Sequence, residues 1–217
     1  MAASSSLKTP ALVHCKTLRA RLLGLDLARA LPAQLVAKRS ETGLFCYSAD
    51  DANANKRTVG AARFAVEWGT LGGGELLEKC AAQSSEYYYY TAAFDDDSDD
   101  WWRGAVGSDV VDALPRKTSL WVGGSGSTTH CHYDVADNIL GQCAGAKRVR
   151  CWAPSAHWAL HPFPDAHPLA RKAQIAIADL PAPDLDVLLE PGDALTIPAF
   201  WFHHCEARRG VPSFTRC

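Results

Sequence analysis

Two short segments of the sequence carry residues that could together bind a metal ion. His132 and Asp134 are separated by one residue within the segment 129–134, and two histidines, His203 and His204, follow far downstream. On a β-strand, residues two apart lie on the same face, so His132 and Asp134 can point to one side of a sheet. Two histidines and one carboxylate on one side of a metal leave coordination positions open, an arrangement typical of non-haem Fe(II). The pattern therefore indicates an iron site.

Two neighbouring histidines compete for the ion. His130 has the same alternation as His132 along a regular strand, and His204 directly follows His203. Because adjacent strand residues face opposite ways, only one of His203 and His204 can reach the metal easily. The residue types alone leave these choices open. Elsewhere in the chain, a lone histidine is more often a surface group than a ligand.

The cysteines indicate a reduced environment. Eight are present, and none forms a C-x-x-C pair. Free thiols in an intracellular protein are therefore expected, and a structural zinc cluster lacks its paired-ligand spacing. On a regular strand, Cys131 would face away from the metal, whereas Cys205 would share the face of His203 and be a buried, inert thiol.

The elements that must position these residues are short strands. From residue 118 onward, apolar and β-branched runs alternate with glycine and proline turns, a pattern typical of a small barrel or a double-sheet jelly roll. The predicted strands are Ser119–Val122, Thr128–Asp134, Lys147–Trp152, Asp186–Leu189, Ala194–Ile197 and Trp201–Glu206. A short helix over Glu75–Cys80 and a strand over Tyr87–Thr91 precede them, and residues 157–168 are predicted to form a loop.

The composition fits one domain, or one domain with an arm. The 217 residues include 22 Lys and Arg against 24 Asp and Glu, and 47% of them are apolar. The near-neutral balance argues against a general binder of nucleic acid or of membrane surfaces, which usually carries a strong basic excess. No apolar run approaches the roughly 18 residues of a membrane span.

The N-terminal segment allows two interpretations. Residues 1–25 contain no Asp or Glu but several serines and basic residues, as organellar transit peptides do. The alternative is an ordinary amphipathic helix over about residues 16–30. We therefore expect an N-terminal arm over residues 1–40 and a barrel domain over residues 41–217.

Residues 118–206 carry a series of motif blocks in a fixed order. The blocks are Ser119-Leu120-Trp121-Val122-Gly123, Thr129-x-x-His132-Tyr133-Asp134, Asn138, Gln142, Gly145, Lys147, Glu190-Pro191-Gly192-Asp193-x-Leu195-x-Ile197-Pro198 and Trp201-Phe202-His203-His204. This segment resembles the JmjC branch of the cupin superfamily, which comprises Fe(II)- and 2-oxoglutarate-dependent oxygenases. The likeness is greatest to the small hydroxylase-type members, such as the asparaginyl hydroxylase of hypoxia-inducible factor and the wybutosine-tRNA hydroxylase. Residues 1–117 match much more loosely.

The resemblance implies roles for two sets of residues. The iron ligands would be His132, Asp134 and His203. The contacts to the cosubstrate 2-oxoglutarate would be Thr129 and Lys147 at its distal carboxylate, Asn138 nearby, and one tyrosine of Tyr87–Tyr90, for which we choose Tyr89. A buried dicarboxylate needs a cation and a hydrogen-bond donor to offset its desolvation, which accords with a lysine and a hydroxyl.

The resemblance also implies a fold and an activity. The fold would be mainly β with N-terminal helices (α+β), built as a double-stranded β-helix or jelly-roll cupin barrel. The activity would be O2-dependent hydroxylation of a protein side chain or an RNA base, with succinate and CO2 as coproducts. The expected location is intracellular, in the cytoplasm or nucleus, with an organelle as the alternative. The family's barrel normally continues well beyond the distal histidine, so we expect a barrel truncated at its C-terminal end, with dimerisation left open.

Three other functions stay open at this point. A JmjC-like shell could act as an inactive binding module, and a cupin with another metal could run different chemistry. Lys147 and Thr129 argue against the latter, since a cosubstrate-free cupin has no use for a 2-oxoglutarate clamp. Histone lysine demethylation is also compatible with the family, although no DNA-binding module accompanies the motif core.

Overall fold

The structure is a computed structural model that describes residues 8–13, 31–45, 66–82, 86–93, 119–167, 169–208 and 213–216. Its strands, in chain order, are β1 (Ala11–Leu12), β2 (Leu35–Ser40), β3 (Leu44–Phe45), β4 (Val66–Leu71), β5 (Tyr87–Ala93), β6 (Ser119–Gly123), β7 (Thr128–Tyr133), β8 (Asn138–Ala144), β9 (Ala146–Trp152), β10 (Leu185–Leu189), β11 (Ala194–Ile197), β12 (Phe202–Arg208) and β13 (Ser213–Arg216). The helices are α1 (Gly73–Ala81) and α2 (His157–Leu160), with short 3-10 turns at Pro154–Ala156 and Ile177–Asp179.

The strands form two sheets of jelly-roll topology. The larger has the order β1-β11-β8-β13-β6-β5-β2-β4, and the smaller has the order β10-β9-β12-β7-β3. Among the described strands, every pairing is antiparallel except that of β3 with β7. The expected double-sheet, mainly β fold is confirmed, and α1 lies before the strands of the motif core, β6 to β12, as predicted.

The alternation of residues along β9 explains why this segment joins the core of the smaller sheet. Lys147, Val149 and Cys151 are buried, whereas Arg148 and Arg150 between them are partly exposed. On the outer face, the Arg148 guanidinium donates hydrogen bonds to the Asp186 carboxylate of β10. On the inner face, the cluster comprises Leu140, Val149, Cys151, Leu189, Leu195 and Ile197. Burying each of its leucine or isoleucine side chains stabilises the fold by roughly 1.5–3 kcal/mol.

Most predicted strands are confirmed, with boundaries within two residues. Two segments differ from expectation. The loop predicted over residues 157–168 begins with the helix α2, and the prediction of loop was wrong there because one helical turn closes between His157 and His161. The strand β8 was not predicted, since most of its residues are buried and no alternation marks it.

Segments outside the motif core also enter the larger sheet. β1 pairs with β11, and β2 lies between β5 and β4, so residues from the expected arm contribute strands. β13 lies between β6 and β8, after the distal histidine. The division at residue 40 and the expected C-terminal truncation stay predictions. The helix predicted over residues 16–30 lies outside the described residues.

The described segments also give the state of five cysteines and the character of the helices. Cys80, Cys131, Cys143, Cys151 and Cys205 are all free thiols. No described helix has the length and apolar character needed to cross a membrane.

Candidate metal centre

Three side chains from two adjacent strands converge at one point. His132 lies near the end of β7, Asp134 directly follows that strand, and His203 lies near the start of β12, where it pairs directly with His132. One ligand atom from each of the three residues lies within 4.8 Å of the others. His203 Nε2 is 3.8 Å from Asp134 Oδ2, and the two imidazole centroids are 4.3 Å apart. The structure thus brings together the three predicted metal ligands.

Backbone carbonyls fix the orientation of both imidazoles. His132 Nδ1 lies 2.8 Å from the carbonyl oxygen of His130, and His203 Nδ1 lies 3.2 Å from that of Trp201. A carbonyl can only accept a hydrogen bond, so each Nδ1 carries the proton and donates it. The lone pair of each Nε2 is then available to a metal, as is usual for metal-binding histidines. This donor set fits a divalent iron ion.

Electrostatics keep the two kinds of ligand in the forms that bind metal. Desolvation, followed by the nearby His203, lowers the pKa of His132 to about 3 against the opposing effect of Asp134. Burial alone would raise the pKa of Asp134, but His132, His203, the Asn138 amide and Arg171 together hold it below its usual value. Near neutral pH, His132 is therefore neutral and Asp134 is an anion.

A β-bulge decides which β7 residues face the metal ligands. His132 pairs with His203 and Thr129 pairs with Cys205, so two residues of β7, His130 and Cys131, lie opposite the single residue His204. Such a bulge interrupts the alternation of side chains. Thr129 and His132, although three positions apart, can therefore both face the barrel interior.

The same bulge corrects the expectation that His130 shares the face of His132. The His130 ring donates from Nε2 to the carbonyl oxygen of Ala173 at 2.8 Å. The His204 ring accepts a hydrogen bond from Arg150 Nη2 at 3.4 Å. Burial, followed by Arg150 and His130, lowers the pKa of His204 to about 3. His130 and His204 thus lie together on the outer face. Cys131 packs there too, against Trp152 and Phe202, as expected.

Asn138 has a contact that the sequence did not predict. Its Nδ2 donates a hydrogen bond to Asp134 Oδ2 at 2.7 Å, the same oxygen that faces His203. The resemblance placed Asn138 near the cosubstrate, and the structure places its amide on the metal-ligand carboxylate. The four-residue spacing after Asp134 is the signal that could have suggested this contact. Asn138 orients the carboxylate.

The other predicted cosubstrate residues surround one part of β12. Tyr89 Oη and Thr129 Oγ1 are 3.3 Å apart, and Lys147 on β9 is only 7% exposed. Cys205 pairs with Thr129 on one side and with Val149 on the other. Desolvation raises the pKa of the Cys205 thiol. Of the two nearby charges, Lys147 lowers this pKa and Asp134 raises it.

A strained turn joins the two ligand-bearing segments. The Asp137 carboxylate accepts a hydrogen bond from Ala199 N at 2.8 Å, and the carbonyl of Asp134 accepts one from Phe200 N at 2.7 Å. Phe200 has φ of 67°, in the left-handed region, and its side chain is 52% exposed. That backbone conformation is unfavourable by about 1–2 kcal/mol for a residue with a Cβ. Pro198 signalled a turn here, but not its contacts.

Comparisons with known proteins agree with the family that the resemblance implied. A family model described as a cupin-like domain matches residues 46–214. Jumonji C domain-containing protein 5 of Drosophila melanogaster is 35% identical over 104 residues, covering 44% of this chain and 25% of that protein. tRNA wybutosine-synthesizing protein 5 of Danio rerio is 37% identical over 100 residues, covering 39% of this chain and 28% of that protein. The matches thus span about a quarter of each relative.

A solved structure supports the same architecture. The X-ray structure of E. coli ycfD aligns with a TM-score of 0.52 and 15% sequence identity, covering 98% of this chain and 50% of that one. At this identity the likeness concerns the fold alone.

Replacing Asn138 with alanine should weaken metal binding. Loss of its hydrogen bond leaves Asp134 free to rotate, and removing such an orienting partner typically lowers metal affinity by about 10- to 100-fold. Titration calorimetry with Mn(II), a redox-stable ion, measures the change. Gln174→Ala, which removes an exposed amide from the neighbouring segment, is the control. Unchanged affinity of Asn138→Ala would contradict the orienting role.

The Phe200→Gly variant should be more stable than the Phe200→Ala variant. Both variants remove the phenyl ring, but only glycine adopts a left-handed backbone without strain, so Phe200→Gly should exceed Phe200→Ala by about 1 kcal/mol in free energy of unfolding. Chemical denaturation measures both. At exposed Val135, whose φ is not positive, the order should reverse. Equal stabilities at position 200 would contradict the strained turn.

Proposed function

The chain belongs to the cupin-like domain family, and from that premise we propose that it is an Fe(II)- and 2-oxoglutarate-dependent oxygenase that hydroxylates a protein side chain or an RNA base. The convergence of His132, Asp134 and His203 within 4.8 Å carries the proposal. Two imidazoles and one carboxylate on one side of an ion leave positions open for a chelating 2-oxo acid and for O2. Succinate and CO2 are the coproducts.

Ferrous iron held by these three residues would supply the activation of O2 that oxidative decarboxylation of 2-oxoglutarate requires. The protein's own groups prepare the site. The neutral His132 presents its Nε2 lone pair because its Nδ1 proton is held by the His130 carbonyl. Asp134 supplies a negative charge, and Asn138 fixes the direction of its carboxylate.

The cationic end of the centre binds the cosubstrate. The buried ammonium of Lys147 offers a charge in a low-dielectric environment, where its attraction for a carboxylate is poorly screened. The hydroxyl groups of Thr129 and Tyr89, 3.3 Å apart, offer hydrogen bonds to the same carboxylate. These groups would hold the distal carboxylate of 2-oxoglutarate and would leave its 2-oxo acid end free to bind iron at His132, Asp134 and His203.

The oxidised substrate belongs to one of two classes. The likeness to a tRNA wybutosine-synthesizing protein supports an RNA base, and a protein side chain is the other class that suits hydroxylation. Comparing succinate formation with total tRNA and with a peptide library added separately distinguishes them.

Anaerobic titration with Fe(II) and 2-oxoglutarate tests the proposed function. The expected result is a visible metal-to-ligand charge-transfer band, followed by succinate formation when O2 is admitted. Asp134→Ala should lose both signals, because removing the carboxylate leaves only two ligands. Equal succinate formation by Asp134→Ala would contradict the ligand assignment, and absence of the band from the unmodified protein would favour an inactive binding module.

Lys147→Met should weaken 2-oxoglutarate binding with little change in metal binding. Methionine keeps the length of the side chain but removes the charge, and a hydrogen bond to a charged group contributes roughly 1.5–3 kcal/mol, or about 10- to 100-fold in affinity. Calorimetry on the Zn(II)-loaded protein measures 2-oxoglutarate binding without turnover. Lys79→Met on α1 is the control. Unchanged affinity of Lys147→Met would remove Lys147 from the cosubstrate site.

A further inference from the structure

We propose that Lys38 binds an acidic side chain, an aspartate or a glutamate of a protein substrate, inside the barrel and thereby selects which peptides the metal centre oxidises. This inference rests on the proposed function, and of its two substrate classes it favours the protein. Lys38 lies on β2, in the part of the chain that matches the family's motifs only loosely.

A row of three directly paired residues crosses the larger sheet. Lys38 pairs with Trp68 on β4 and with Tyr89 on β5. Residues that pair directly across strands project to the same face of a sheet. Because the Tyr89 hydroxyl lies 3.3 Å from Thr129 Oγ1 on the smaller sheet, this face is the one inside the barrel. Lys38 therefore points inward, towards the sheet that carries the candidate metal ligands.

Two aromatic rings hold the ammonium group of Lys38 in place. Its Nζ lies 4.8 Å from the centroid of the Trp68 indole and 5.8 Å from that of the Tyr89 ring. A cation within about 6 Å of an aromatic face is attracted to it, most strongly when the ring is tryptophan. The rings fix the position of the charge, but they carry no formal negative charge. A carboxylate is therefore a stronger partner for the same ammonium group.

Exposure to solvent falls along the row, from the edge of the sheet to the proposed cosubstrate end. Trp68, on the last strand in the order of the larger sheet, is 46% exposed, whereas Lys38 is 3% exposed and Tyr89 is 6% exposed. A side chain that enters beside Trp68 thus meets Lys38 before it meets Tyr89. In this buried position the attraction between opposite charges is poorly screened, which offsets the cost of taking a carboxylate out of water.

A second donor on the same face also favours an anionic ligand. Trp121 lies two residues before Gly123, the direct partner of Tyr89, so its side chain shares the inner face. The Trp121 and Tyr89 ring centroids are 6.0 Å apart. Trp121 Nε1 is buried and has no hydrogen-bond acceptor among the described residues, a costly state unless a ligand supplies one. An ionised Asp or Glu side chain offers acceptors only, which suits a face that presents an ammonium group and an indole N–H.

The number of charges favours a carboxylate over a nucleic acid. Proteins that bind RNA contact several phosphates through lysine and arginine side chains. The row across the larger sheet supplies one lysine, and the whole chain has 22 Lys and Arg against 24 Asp and Glu. A single buried ammonium group matches the single charge of an Asp or Glu side chain.

Hydroxylation of peptide pools tests the proposal on the full chain loaded with Fe(II) and 2-oxoglutarate. Three pools of short random peptides carry, at one fixed central position, either Asp and Glu, or Asn and Gln, or Lys and Arg. Mass spectrometry measures the peptides that gain one oxygen atom when O2 is admitted. We expect the acidic pool to exceed the amide pool by about 10- to 100-fold, because a hydrogen bond to a charged group stabilises the complex more than one to a neutral group.

Variants at position 38 separate a charge effect from a structural one. Lys38→Met should lose the preference for the acidic pool, Lys38→Arg should keep it, and Lys38→Glu should shift it to the basic pool. A lysine with a merely structural role would not invert the preference. Lys79→Met is the matched control, because Lys79 Nζ lies 5.0 Å from the ring centroid of Tyr88, which faces the other side of β5. This control should keep the preference of the unmodified protein.

The possible outcomes separate this inference from the proposed function. Equal hydroxylation of the three pools, or hydroxylation of total tRNA with none of the acidic pool, overturns the inference and leaves the oxygenase proposal in place. An acidic preference that persists in Lys38→Glu also overturns it. If Lys38→Met loses 2-oxoglutarate affinity to the extent expected of Lys147→Met, Lys38 belongs to the cosubstrate site and its role in substrate selection is overturned. Absence of both the charge-transfer band and succinate from the unmodified protein overturns both proposals.

Discussion

The pairing of β12 with β7 is the constraint on which the centre depends. The direct pair His203–His132 sets the two imidazoles side by side, and the Thr129–Cys205 pair on the far side of the bulge sets the proposed cosubstrate end of the candidate site. A slip of β12 by one residue would turn His203 and Cys205 to the opposite face, away from His132 and Thr129. This pairing places the groups that other contacts then orient. Those contacts come from the backbone carbonyls at the two imidazoles, the Asn138 amide and the buried Lys147.

The structure brings predicted residues together where spacing within one strand decides the geometry. His132 and Asp134 were identified from their separation, and β9 from its alternation, because both signals are local. The motif order allowed His203 to be preferred over His204. The prediction that His130 shares the face of His132 was wrong. A bulge depends on the partner strand, and the sequence of a single segment does not reveal that strand. The Asn138 contact depends on the path of the loop after β7, and β8 lacks alternation since it is buried on both faces.

The two faces of the smaller sheet separate the candidate metal site from structural support. The inner face carries the predicted metal ligands and cosubstrate residues, while the outer face carries the buried His130 and His204 and the partly exposed Arg150. Burial keeps the His204 ring neutral, so His204 adds no charge behind His203. Its hydrogen bond from Arg150 joins β12 to β9. The Phe200 turn secures the opposite end of the ligand pair. Rigid support on both sides suits a site whose function requires open coordination positions.

The pairing of β1 with β11 constrains the order of folding during synthesis. Ala11 pairs with Thr196, so an edge of the larger sheet is completed by segments 185 residues apart in the chain. Residues 8–13 leave the ribosome long before their partner strand, which emerges only after the segment with His132 and Asp134 has been made. Closing so long a loop is entropically slow, and topologies of this kind fold slowly. Until then the backbone groups of β11 are open to pairing with another chain, which makes this edge a point of vulnerability for a nascent molecule.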